Sequence, residues 1–93
     1  MEITVFEYPG CPYCRQGRAV IEELVQENPS FEAFRFNRID ETQHPELSDQ
    51  YEYNYCPCFF AGRKKIYEAS RFHSREMVKA KLYTALTDLL KEQ

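Results

Sequence analysis

The chain has 93 residues, a net charge of −3, a hydrophobic fraction of 43%, and seven Phe and seven Tyr. That aromatic content excludes a disordered chain, and the acidic balance excludes a nucleic-acid footprint, which needs a basic face. No segment approaches the ~18 apolar residues of a membrane span, and Met1 leads straight into EITVFEY without the basic and apolar regions of a secretory signal. One cytoplasmic, monomeric domain over residues 1–93 is expected, with neither nucleic acid nor membrane as partner.

EITVFEY (2–8) is almost continuously apolar from Ile3 to Phe6, the pattern of a central strand buried on both faces. Pro9-Gly10 breaks it. From Pro12 to about Asn28 the spacing is helical: Cys14, Gly17, Ile21 and Leu24 fall at steps of three, four and three. NPS at 28–30 ends this helix. FEAFRFNRID (31–40) alternates, with Phe34 and Phe36 on one face and Arg35 and Asn37 on the other, and predicts a strand through the whole stretch. A short helix follows Asp40 and Thr42, with His44 and Pro45 early in it. PCFFAG and KKIYEA read as a hairpin, and GRKK at 62–65 as its solvated turn. A last helix runs from about Ser74, its N-cap, to Leu90, with Val78, Leu82, Ala85, Leu86 and Leu89 as its apolar stripe. The order β-α-β-α-β-β-α folds as a four-stranded mixed sheet with helices on both faces.

Four cysteines stand in two pairs, GCPYC and YCPCFF. In a reducing cytosol thiols stay reduced unless they are catalytic or bound to metal. Cys11 falls at the N-cap of the first helix, with Pro12 at the position where a missing N–H costs nothing. The unpaired N–H groups of the first turn and the helix dipole favour an anion there. A free thiol titrates near 8.5, and such a position lowers it to roughly 3.5–7.5. Cys11 is therefore expected as an exposed thiolate, aided by Arg15 and Arg18. Cys14 is expected to be more shielded, the second thiol of a disulfide exchange. A structural zinc half-site competes for any CxxC, but the strand-to-helix junction favours redox chemistry.

With YPGCPYC after the first strand, a proline opening the third in YCPCFF, and FFAGRKKIYEA before a terminal helix, the chain resembles the glutaredoxin branch of the thioredoxin-like superfamily over nearly all its length. The resemblance implies an α/β thioredoxin-like fold of the glutaredoxin type. It implies a dithiol oxidoreductase with Cys11 as nucleophile, Cys14 as resolving thiol and Pro57 as a cis proline facing the nucleophile. Tyr13 is exposed in that family and suits substrate contact. The implied substrates are protein disulfides or glutathionylated proteins. No cofactor is bound tightly, glutathione is a co-substrate, and glutathione or a reductase is the electron donor. A cis Pro57 would turn the backbone of Cys56 toward the groove, where an extended substrate segment pairs with it.

The chain departs from the glutathione-using pattern at three places. Tyr8 stands where such members carry Lys or Arg, Cys56 stands where they carry Val, Ile or Thr, and EASRFHS replaces a Gly-Gly turn with Asp. Arg71, His73 and the helix start at Ser74 are the candidates for holding a substrate carboxylate instead; the plainer reading makes Ser74 a cap and Arg71 a solvated charge. Tyr51, Tyr53 and Tyr55 alternate before Pro57 and read as packing, with a peptide shelf as the alternative. Cys56 and Cys58 are two apart, near the ~7 Å Cα limit for a bridge in an extended segment, so no mutual disulfide is expected. Cys58 reads as a small buried hydrophobe. Cys56 has three readings: packing beside the site, a third redox thiol, or a third ligand with Cys11 and Cys14. The last defines an alternative function, a zinc or iron–sulfur module. No metal is assigned in the oxidoreductase reading.

Overall fold

A computed structural model describes residues 1–92. β1 (Glu2–Glu7) runs through the middle of a four-stranded sheet of order β2-β1-β3-β4. It pairs parallel with β2 (Arg35–Asp40) and antiparallel with β3 (Cys58–Ala61), and β4 (Lys64–Glu68) closes the hairpin antiparallel to β3. This is the mixed sheet expected from the element order. The hairpin turns at Gly62, whose φ of 61° lies where only glycine is unstrained.

Successive side chains of a strand point to opposite faces, and here the two faces have different cores. Ile3, Val5 and Phe59 point to one face. They meet Val20, Ile21 and Leu24 of α1 (Pro12–Glu27) and Val78, Leu82, Leu86 and Leu89 of α3 (Arg75–Lys91). Phe6, Cys58 and Phe60 point to the other, beneath Leu47 of α2 (Pro45–Ser48), Tyr51 and Tyr53. Phe6 stacks on Tyr53 with centroids 5.1 Å apart, and Tyr51 lies 4.7 Å from Phe60, so these two tyrosines are core. Cys11, Cys14 and Cys56 belong to this second, aromatic layer.

The stretch 31–40 is a strand only from Arg35 onward. Pro29–Ala33 form a 3₁₀ turn instead. Pro29 presets its φ for that turn, and Phe31, 2% exposed, packs 5.9 Å from Phe34 and 5.8 Å from Tyr83 of α3. Burial against α3 outweighs the alternating pattern there. α1 and α3 are also tied by charge. Glu23 takes Arg75 and Lys79, the latter at 2.9 Å, and Lys79 reaches Glu27 at 3.0 Å.

Candidate active site

The site is built where β1 hands over to α1. Gly10, at φ 82°, makes the turn. Cys11 follows in extended backbone (φ −76°, ψ 113°) as the N-cap, with Pro12 at the first helical position. The N–H of Cys14 donates to the Cys11 Sγ at 3.1 Å. The Cys11 thiol in turn donates to the carbonyl of Cys56, 3.7 Å away. That carbonyl precedes Pro57, and the Cys56–Pro57 peptide bond is cis. Pro57 is clamped from two sides: its C=O accepts from Ala69 N–H at 3.0 Å, and its ring lies against Gly17 so closely that a Cβ there would sit 3.1 Å from Pro57 Cγ.

The expected contrast in exposure is absent. Cys11 is 3% and Cys14 6% exposed, so both thiols are shielded. Cys11 is covered because the chain around Pro57 brings the Cys56 carbonyl onto it. The two thiols differ instead in their hydrogen bonds, since the helix amide points at Cys11. Burial pushes the Cys14 thiol up to about 12, reinforced by its hydrogen bond to Cys11 and opposed by a backbone hydrogen bond from Tyr8. Burial likewise raises Cys56, reinforced by the Glu41 carboxylate beside it, which also accepts the Tyr53 hydroxyl. Burial and the nearby carboxylate thus both favour the neutral thiol at Cys56. Cys58, with no exposed surface, is pushed to about 12 by burial and then by Glu68, in keeping with a small hydrophobe. The Tyr8 phenol lies against Cys11, whose sulfur holds its pKa above the ordinary value.

Two grooves flank the sulfurs. Cys11, Cys14 and Arg15 open into one of about 340 Å³. Arg18 also lines it, but is paired with Glu7 at 2.6 Å, and Arg38 holds the same carboxylate at 3.4 Å. Tyr13, Cys56 and Arg71 line the other, about 560 Å³, together with Glu41, Tyr55 and Phe72. Tyr8 lines both. Ser74 lines neither: its hydroxyl accepts from Met77 N–H at 3.2 Å and caps α3. His73 is engaged by the Tyr67 hydroxyl at 2.9 Å. A hollow of about 660 Å³ between β4 and α3 holds no thiol. Among the described residues no three His, Cys, Asp or Glu side chains form a set that could hold a metal ion, so Cys11, Cys14 and Cys56 share a layer without making a ligand set. No described helix is long and apolar enough to cross a membrane. Glu41 escaped the sequence reading, because it reaches Cys56 only through the β1–β2 pairing that sets the end of β2 beside the site.

A parallel β-α-β unit joined to an antiparallel hairpin and a terminal helix, with a thiol capping the first helix, is the thioredoxin-like fold. Residues 5–72 match the family model described as glutathione S-transferase, N-terminal domain, and the chain belongs to that family. Thirteen chains of solved structures match it. Among them is the zinc-bound form of human ERp44, with a TM-score of 0.58 and 20% identity over 94% of this chain and 25% of that one. At that identity the likeness shows the fold alone, and this chain spans about a quarter of that protein's length. No curated protein matches. Fold and family are compatible with thiol redox chemistry.

Proposed function

We propose that this protein is a glutaredoxin-like thiol–disulfide oxidoreductase acting on protein disulfides or glutathione mixed disulfides, in a reducing compartment such as the cytoplasm. One observation carries this: the Cys14 N–H aimed at the Cys11 sulfur at 3.1 Å, at the open end of a 16-residue helix. Negative charge is best accommodated there by the free amide and the dipole.

In the first step the Cys11 sulfur attacks one sulfur of the substrate disulfide. A Cys11–substrate disulfide forms, and the other substrate sulfur leaves as a thiol carrying the proton that Cys11 gives up. In the second, Cys14 attacks the Cys11 sulfur of that mixed disulfide. The Cys11–Cys14 disulfide forms, and the Cys14 proton passes to the departing substrate thiol. Two electrons have moved from protein to substrate. Two molecules of glutathione return them in the same manner, ending as glutathione disulfide. The high pKa of Cys14 keeps it protonated until Cys11 is engaged. Cys56, held protonated beside Glu41, supplies its backbone rather than its sulfur. Tyr8 stands by the nucleophile as an uncharged side chain, where glutathione-using members of the family it resembles carry a cation.

The test is insulin reduction and turnover of a glutathione mixed disulfide by the wild type, Cys11→Ala and Cys14→Ser. Cys11→Ala abolishes both. Cys14→Ser keeps the glutathione reaction and loses most insulin reduction. Activity in Cys11→Ala, or wild-type insulin reduction by Cys14→Ser, overturns the assignment.

A further inference from the structure

Seven large apolar side chains are exposed on the described surface, and four of them, Tyr8, Tyr13, Tyr55 and Phe72, line the 560 Å³ groove. Phe72 is 77% and Tyr55 65% exposed. Exposed apolar residues scattered singly need no explanation, but a gathered patch marks a contact surface. This patch adjoins the nucleophile without containing it: Cys56 is one wall, its carbonyl receives the Cys11 thiol, and Tyr8 lines both this groove and the one into which Cys11 opens. It ends at Arg71, whose guanidinium lies 4.9 Å over the Phe72 ring and has no carboxylate partner among the described residues.

A thiol alone fills only the Cys56 end of the groove. An extended chain rising about 3.3 Å per residue continues along it. Its apolar side chain covers the rings of Tyr55 and Phe72, and an acidic side chain meets the unpartnered Arg71. Glutathione carries carboxylates but no ring, so it leaves the aromatic walls wet. We infer that the groove selects a polypeptide disulfide whose cysteine is flanked by an aromatic or long aliphatic residue and by an acidic one. This rests on the oxidoreductase reading and narrows its substrate.

Three disulfides sharing one thionitrobenzoate leaving group test it: a peptide with Phe and Glu beside its cysteine, the same peptide with Gly at both places, and glutathione. The readout is the ratio of kcat/KM values. The Phe/Glu peptide exceeds the other two by about tenfold, the effect of a pair of aromatic contacts. Tyr55→Ala with Phe72→Ala lowers the ratio several-fold, leaving the part that Arg71 contributes. Arg71→Gln lowers it only for peptides that carry the Glu. Tyr83→Ala, an exposed aromatic outside the groove, keeps it. Equal turnover of the three disulfides, or a preference left undiminished by the double substitution, overturns this inference and leaves the oxidoreductase reading standing. No turnover of any of them overturns both.

Discussion

Replacing Gly17 by Ala separates two opposed effects. Gly17 is buried within α1, where alanine is favoured over glycine by about 0.8–1.0 kcal/mol of helix propensity. Its Cβ, however, would lie 3.1 Å from Pro57 Cγ and 3.9 Å from Phe59 Cζ. Carbon pairs prefer ~3.5–4.0 Å, so the Pro57 contact is too short by about half an ångström. Pro57 has little room to give way. It is buried, its carbonyl is bonded to Ala69, and it sits between two buried cysteines. Overpacking of this kind costs about 1–3 kcal/mol. The balance is a net loss of about 1 kcal/mol, or roughly 4–8 °C in Tm for a domain of this size. Urea and thermal unfolding measure it. Ala19→Gly, two residues away on the exposed side of α1, reports the propensity effect alone as a loss of about 1 kcal/mol. If Gly17→Ala gains what Ala19→Gly loses, α1 and Pro57 are not in close contact and the wall behind the sulfurs is misplaced.

Glu23 is held down to about 2, chiefly by its hydrogen bond to Arg75 and then by Lys79. A lowered carboxyl pKa gives stability that is present above about 4.5 and lost as pH falls toward 2, so Tm declines across that window and Glu23→Gln flattens the decline. Cys58 shifts the other way, from 9.0 to about 12. Its stabilising effect is complete below 9.0 and disappears as pH rises toward 12, so alkaline unfolding is less steep in Cys58→Ala than in the wild type. Tyr53→Phe removes the hydroxyl that Glu41 accepts. It should cost about 0.5–1.5 kcal/mol in urea unfolding, and no loss would show that this contact is idle.

What the sequence displays openly is what neighbouring residues decide. Cys11 at an N-cap, Pro12 behind it and Cys14 one turn on follow from five consecutive letters, and the structure places the amide of Cys14 on the Cys11 sulfur. Ser74 capping α3 and the turn at Gly62 are equally local. Long-range contacts are harder to see. The start of β2 was hidden because Phe31 takes its place from Tyr83, 52 residues on, rather than from the alternation around it. The cover over Cys11 comes from a carbonyl 45 residues away. The gathering of Tyr8, Tyr13, Tyr55 and Phe72 into one groove has no period in the sequence, since three separate loops and a helix start deliver it.

Mass mapping of Cys14→Ser after incubation with glutathione disulfide tests the central assignment most directly, because it shows which sulfur exchanges first. One glutathione joined to the peptide containing Cys11, with Cys56 and Cys58 unmodified, is the expected result. An adduct on Cys56, or none on Cys11 in the folded protein, contradicts it.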